Sequence, residues 1–408
     1  MSLAGRATVL LLALAAPPAA AEEPALRWSG LLQLWGTYAL DSSLRDGEVV
    51  SQPSRYYSLR SEFRRDDVSV RRAELKLRGQ VAPSVAFEVM IDPAIAVSSS
   101  NILQDAVISL RPGAGLELRA GQMKTAQTYE GLRSSAALPL VERSQLARLL
   151  GDVRDRGVTL AFARGPEHGW HARALAGAFS GAGRGADANA SKDLVARLEG
   201  RLSTRHSLGA YGLWGSTDQP GAPAGVPLAF AGGAAAPTPE QVRAAADGTR
   251  NLGGFYVYED ARWSGEAEVA WARLGRHFAS IGPSAGPARR EHLEQSFLGL
   301  TLTAVRRFGR HALALRFDRA DYNHDARYYT SFDPYLASAP GAPRPGDWRP
   351  RFSEWTAGYT LSLSKGEPTA ALVRLNYIHR SDNVLLDPAA GPEPRGGDGL
   401  VVLLQAAF

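Results

Sequence analysis

The last ten residues of the chain, 399–408, read GLVVLLQAAF. Leu400, Val402, Leu404, Ala406 and Phe408 occupy every second position. An extended strand sends alternate side chains to opposite faces, so these five residues share one face. The segment is therefore predicted to be a β-strand with an apolar face that ends on an aromatic residue.

The same alternation recurs at several places along the chain. In residues 28–40, Trp28 and the apolar or small residues at every second position after it share one face, whereas Gln33 and Trp35 lie on the other. Four further stretches behave in the same way: residues 72–81, 85–92, 354–363 and 373–377. This periodicity of two predicts an all-β protein.

Alternation by itself also fits a soluble sandwich of two sheets. Three features favour a transmembrane barrel: segments of about ten residues, Trp or Tyr near strand ends, and short connections that alternate with long ones. The seven short connections are 82–84, 111–115, 165–169, 203–206, 260–264, 306–310 and 364–368. The eight long ones are 41–66, 93–101, 125–154, 181–191, 218–250, 275–291, 322–351 and 380–397. We therefore predict an antiparallel barrel of about 16 strands in residues 22–408, wide enough for an aqueous lumen.

Composition excludes several other classes of protein. Length alone, 408 residues, would suggest two or three soluble domains. No segment after residue 21 has the roughly 20 unbroken apolar residues of a membrane-spanning helix. The absence of cysteine excludes disulfides and thiolate zinc sites. No basic run with interleaved aromatic residues suggests binding of nucleic acid.

The first 21 residues are typical of a signal peptide that is cleaved on export. Arg6 precedes an apolar core at residues 8–16, and Ala19-Ala20-Ala21 fits the cleavage rule. Removal of this peptide, with Arg6, leaves a mature chain with 45 basic and 41 acidic residues, a formal charge of +4. We expect an exported protein of the Gram-negative outer membrane, in contact with its lipid.

The third long connection carries most of the candidate site residues. Its predicted pore or anion-binding groups are Lys124, Arg133, Arg143, Arg148 and Arg154, within residues 124–156. The apolar stretch 136–141 in a loop of this length must pack on something. The segment either folds into the lumen, where its guanidinium groups would attract anions, or stays a solvated loop whose charges nearly cancel. The charge pattern does not distinguish these two interpretations.

Several motifs together resemble the phosphate-selective porin O and P family. They are 70–79 (VRRAELKLRG), 121–125 (GQMKT), 134–138 (SSAAL), 141–144 (VERS) and 154–158 (RDRGV). The resemblance is dense between residues 28 and 165.

The resemblance implies a trimeric porin of sixteen strands with a basic eyelet formed by the third loop. Lys124, Arg133, Arg143 and Arg154 would be eyelet or loop-anchoring groups. The resemblance also implies that Arg72, Lys76 and Arg78 line the pore wall. It further implies that the barrel-assembly machinery recognises the terminal strand with its last residue, Phe408. Ala126-Gln127 replaces the Pro–aromatic pair of the family, so we expect a mild anion preference rather than strict phosphate selectivity.

The sequence thus predicts a homotrimeric diffusion channel for small anions, phosphate among them, with no cofactor, no metal and no enzyme chemistry. Two alternatives remain open. An outer-membrane lipase or esterase would need a serine such as Ser134, Ser135 or Ser296 beside a histidine on the outer wall. A sugar-selective porin would need aromatic residues along the lumen, and Trp35 is the clear inward-facing tryptophan.

Overall fold

The computed structural model describes residues 26–40, 66–97, 101–165, 170–185, 191–217, 247–280, 290–321, 324, 351–384 and 393–408. The predicted signal peptide, residues 1–21, lies outside this set and stays a prediction. The first eight strands are β1 (Leu26–Ala39), β2 (Asp67–Ala82), β3 (Val85–Ile91), β4 (Leu103–Gly113), β5 (Leu116–Lys124), β6 (Arg154–Arg164), β7 (His171–Phe179) and β8 (Asp193–Arg201). The other eight are β9 (His206–Thr217), β10 (Asp247–Glu259), β11 (Trp263–Ser280), β12 (Arg290–Phe308), β13 (His311–Asp321), β14 (Arg351–Ser362), β15 (Ala371–Val384) and β16 (Glu393–Ala407).

Helical structure in the described residues is confined to short turns. The α-helix α1 covers Tyr129–Leu132. The 3₁₀ turns are Pro93–Val97 and Ser135–Ala137, and a π turn covers Ala147–Gly151. None of these helices has the length and apolarity that crossing a membrane requires.

Each strand pairs antiparallel with the next, and β1 pairs with β16, so the sheet closes on itself. The closing register runs from Leu31 opposite Ala407 to Ala39 opposite Gly399. Gly30 and Phe408 continue it, since each backbone N–H donates to the other residue's carbonyl at 3.0 and 3.1 Å. A closed ladder leaves no strand edge with unpaired backbone groups. The predicted sixteen-strand antiparallel barrel is confirmed.

The outer surface of the barrel is apolar, and polar side chains point inward. In β16, Val402 and Leu404 are 40% and 49% exposed, whereas Val401, Leu403 and Gln405 on the opposite face are buried. Buried charged residues of other strands follow the same inward direction, among them Arg72, Arg197, Arg316, Asp318 and Glu354. This is the reverse of a soluble protein and matches a barrel whose outer wall contacts lipid.

Strand boundaries agree with prediction to within a few residues, and the differences have a common cause. β10 begins at Asp247, β15 continues to Val384 and β16 begins at Glu393, inside connections that were predicted as loops. These strand ends are polar, so apolar alternation ends before the hydrogen-bonded ladder does.

Candidate functional site

The segment 125–153 between β5 and β6 folds back on itself. Thr128, which is buried, caps α1: its Oγ1 accepts a hydrogen bond from Gly131 N at 3.0 Å. A Cβ at Gly151 would overlap the Thr128 side chain, so the close approach of the segment's two ends requires glycine there. Thr125 N donates to Val153 O at 2.9 Å and closes the base of the loop.

Arg143 holds this segment together from within. Its guanidinium donates to Arg133 O at 2.7 Å and to Glu130 O at 3.4 Å, and it lies 3.4 Å from the Asp152 carboxylate. Burial acts to raise the pKa of Asp152, but Lys124 and Arg143 outweigh it and lower that pKa. Because only 1% of Arg143 is exposed, its side chain anchors the loop and has no surface with which to meet a solute.

Glu142 ties the segment to β2. Its carboxylate accepts from Arg71 Nη2 at 2.6 Å and from Arg72 Nη2 at 3.0 Å, and Arg72 also donates to Gln33 Oε1 at 2.7 Å. Burial opposes ionisation of Glu142, yet Arg72 and Arg71 hold its pKa well below the usual range. A buried carboxylate with two guanidinium partners is a strong attachment.

Further hydrogen bonds and ion pairs connect the segment to strands distributed around the barrel. Tyr129 N donates to Glu268 Oε1 on β11 at 2.7 Å, and Arg133 pairs with Glu266 on the same strand. Gln127 accepts a hydrogen bond from Asn251 on β10. Four other inward side chains donate to backbone carbonyls of the segment: Arg197 (β8) to Thr128, Arg316 (β13) to Glu142, Arg374 (β15) to Leu140 and Gln405 (β16) to Ala136, at 2.7–3.3 Å.

Apolar side chains of the segment pack against the barrel strands, as predicted for the stretch 136–141. Val141 belongs to a buried cluster with Trp35, Leu372, Val401 and Leu403. Trp35 faces inward as predicted, but it is 4% exposed, and the Arg71 guanidinium lies 4.8 Å from its ring centroid. The ring therefore offers no surface along which a sugar could slide.

A polar cavity of ≈ 300 Å³ lies between residues 132–135 of the segment and strands β2–β6. A second cavity of ≈ 560 Å³ adjoins it and shares Arg78, Glu88 and Arg119 with it. We call the two together the wall cavity. Its charged lining is Arg27, Lys76, Arg78, Arg111, Arg119, Lys124, Arg133 and Arg154 against Glu74, Glu88, Asp105 and Glu117, eight basic and four acidic side chains.

Ion pairs neutralise part of this lining. Glu88 pairs with Lys76 at 3.3 Å and with Arg78 at 2.6 Å, and Asp105 pairs with Arg154 at 2.9 Å. Arg119 and Arg27 make no ion pair with any of the described residues. Arg119 was not predicted as a site residue, although the alternation of β5 (LELRAGQMK) places it on the same face as Glu117 and Met123.

Comparison with known proteins decides the family. The family model for phosphate-selective porin O and P matches residues 54–278, more than half of the chain. This chain belongs to the phosphate-selective porin O and P family. The predicted resemblance is confirmed, and the chain is placed among porins of the outer membrane. No curated protein sequence matches this chain.

Solved structures of outer-membrane proteins share the fold of this chain at low sequence identity. The channel DcaP of Acinetobacter baumannii is 10% identical with a TM-score of 0.58, and the match covers 94% of this chain and 97% of that one. An anion-selective porin from Comamonas acidovorans is 12% identical, TM-score 0.54, with 95% and 100% covered. The trimer form of OmpT from Vibrio cholerae is 9% identical, TM-score 0.53, with 95% and 100% covered.

The porin brings some of the predicted site residues together and separates others. Lys76, Arg78, Lys124, Arg133 and Arg154 line the wall cavity. Arg72 and Arg143 instead attach or stabilise segment 125–153, as described above. Arg148 lies apart from the wall cavity, beside Trp35, Glu142 and Arg316.

Proposed function

We propose that this porin is a passive, water-filled diffusion channel with a mild preference for small anions, and that segment 125–153 is its constriction loop. The solute would pass along the wall cavity, between residues 132–135 and the inward faces of β2–β6. The observation that carries the proposal is the excess of four basic over acidic side chains in that lining. Of the basic groups, Lys124 and Arg133 pair with Asp152 and Glu266 outside the lining, whereas Arg119 and Arg27 make no ion pair among the described residues.

The attachments of segment 125–153 support its position inside the barrel. It contacts inward side chains of β2, β8, β10, β11, β13, β15 and β16. In a closed barrel those side chains share only one space, the interior. The segment would then pack on the β8–β16 wall, on β1 and on the Arg71–Arg72 part of β2. The inward faces from Glu74 of β2 to β6 would stay open.

The chemistry of the lining suits transient binding of anions. Guanidinium groups replace part of an anion's hydration shell, and the net positive charge raises the local anion concentration. Conduction also requires that the anion leave again. Since most of the basic groups already have carboxylate partners, attraction is moderate, which favours a diffusion channel. Phosphate and other small anions are the proposed solutes, in keeping with the family description.

Reversal potentials in planar bilayers under a KCl gradient test this proposal. We expect a potential of the sign produced by preferential chloride flux, and a decrease of chloride current when phosphate is added. Cation preference would overturn the anion proposal, and the absence of conductance from folded protein would overturn the channel itself.

The structure favours a channel over the two alternatives. Ser134 and Ser135 line the wall cavity, and Ser135 Oγ accepts from Arg143 Nη2 at 3.4 Å, whereas an outer-membrane lipase needs its serine on the outer wall. A sugar channel would need exposed aromatic rings in the lumen, and Trp35 is enclosed. Hydrolysis of a phospholipid or ester, or liposome swelling in oligosaccharides, would favour the respective alternative.

Export and assembly complete the proposal. Residues 1–21 would direct export, the barrel would reside in the outer membrane as a homotrimer, and the barrel-assembly machinery would recognise the strand that ends at Phe408. Phe408 is 76% exposed on the outer surface, where a partner can reach it during assembly. N-terminal sequencing of the mature protein tests the removal of residues 1–21, and the mass of the detergent-purified oligomer tests the homotrimer.

A further inference from the structure

A groove crosses the outer surface of the barrel over β12–β15. We call it the outer groove; its volume is ≈ 540 Å³, and its lining includes Ala304, Leu313, Leu315, Ala357, Tyr359 and Tyr377. The strand register explains the depression. Ala304 pairs with Leu315, Leu315 with Ala357 and Ala357 with Tyr377, so short side chains alternate with long ones across neighbouring strands.

A basic side chain, Arg306, lies at one end of this apolar groove. Arg306 is exposed on the outer face of β12, two residues beyond Ala304, and its guanidinium carbon lies 5.2 Å from the centroid of the Trp263 ring. Arg262 is exposed in the turn beside it. Neither side chain pairs with a carboxylate among the described residues. A charged group on a lipid-facing wall is tolerated near the headgroups, where an anion can neutralise it.

The position of Arg306 along the strand indicates the membrane leaflet. It lies near the two-residue turn between β12 and β13 and opposite Trp263, which follows the short turn between β10 and β11. In barrels of this class the short turns face the periplasm. Tryptophan and tyrosine concentrate at the membrane interface, so Trp263 and Tyr359 mark the headgroup level there.

We propose that the outer groove binds an acyl chain of an anionic phospholipid from the periplasmic leaflet, whose phosphate lies against Arg306 and Arg262. The apolar lining suits a hydrocarbon chain, and guanidinium groups recognise phosphate with paired hydrogen bonds. The site lies on the outer face of the barrel over β12–β15, whereas the proposed solute path lies inside, along β2–β6. It rests on the membrane placement of the barrel and not on its anion preference.

Lipid binding to the detergent-purified full-length protein tests the site, with native mass spectrometry as readout and phosphatidylglycerol and phosphatidylethanolamine as probes. We expect phosphatidylglycerol to bind more tightly. Arg306→Gln should weaken its binding about fivefold, the contribution of one basic side chain beside an anionic lipid. Ala357→Leu should fill the groove and weaken binding of both lipids.

Two control variants match these changes outside the groove. Arg319→Gln removes an exposed arginine at the other end of β13, and Ala196→Leu enlarges an exposed alanine on the outer face of β8; neither should alter lipid binding. Equal affinity for the two lipids, or equal effects of Arg306→Gln and Arg319→Gln, would overturn the proposal. So would an Ala357→Leu protein that retains lipid but changes oligomeric mass, since a second copy of the chain would then occupy the groove. If Ala357→Leu fails to fold, Arg306→Gln, which leaves the groove's shape intact, decides the matter alone.

Discussion

Replacing Arg119 with glutamate reverses one charge of the wall cavity without touching the contacts that hold segment 125–153. The lining would keep seven basic and gain a fifth acidic side chain, so its excess of positive charge falls by half. For an ion about 6 Å away in a water-filled path, two elementary charges change its energy by roughly 1.4 kcal/mol before screening. Physiological salt reduces this to about 0.7 kcal/mol. The substitution destabilises an anion in the path by this amount and stabilises a cation by the same amount. The two effects together are about 1.4 kcal/mol, so the anion-to-cation permeability ratio should fall about tenfold.

Single-channel reversal potentials under a KCl gradient measure that ratio directly. The matched control is Arg156→Glu, which makes the same charge change at an exposed position of β6; we expect it to change the ratio less than about twofold, because the barrel wall and the ionic atmosphere separate it from the path. The Arg119 variant should keep nearly the wild-type conductance, since no loop contact is lost. An unchanged reversal potential for Arg119→Glu, or an equal shift for both variants, would refute a solute path along β2–β6.

Three further predictions concern the loop and the closure of the barrel. Arg143→Met should destabilise the protein by about 3 kcal/mol and raise single-channel conductance, because two carbonyls of the segment lose their donor and Asp152 keeps only Lys124 and Arg154 as cationic partners. Unfolding in urea and conductance recordings test it, and a stable variant with wild-type conductance would contradict the anchoring role. Since the folded-state pKa of Glu142 lies well below its ordinary value of 4.5, its ion pairs should stabilise the fold above pH 4.5 and weaken only as pH falls through that lower value. The melting temperature of Glu142→Gln should therefore lie below that of wild type at neutral pH and approach it in acid, and a pH-independent difference would count against the assignment. Deletion of Phe408, or Gly30→Val, whose side chain would collide with the Phe408 ring, should lower the amount of folded barrel in the membrane while leaving conductance per channel unchanged; wild-type membrane levels would speak against a role of this contact in assembly.

The barrel itself could be predicted because its signal is local. A strand repeats every two residues, so the alternation around Leu404 fixes which side chains face lipid wherever the strand lies in the sheet. The alternation of short and long connections indicates how many strands there are. It also indicates which end of the barrel carries the short turns and which carries the long loops. Strands were predicted too short where their ends are polar, as at the end of β15, because the hydrogen-bonded ladder continues there without an apolar pattern.

The roles of individual charges in the candidate site could be predicted only in part. Arg143 and Arg119 belong to neighbouring stretches of sequence and carry the same side chain, yet one is sealed inside segment 125–153 and the other faces the wall cavity. Arg143 is buried because segment 125–153 folds back around it, and that segment is held in place by contacts remote in sequence, such as the one from Gln405 to Ala136 across 269 residues. Facing direction is set by backbone geometry within two residues, and the sequence by itself determines it. Whether a guanidinium is neutralised, buried or free to meet an anion depends on which carboxylates and carbonyls come within a few ångströms of it, and only the closed tertiary structure decides that.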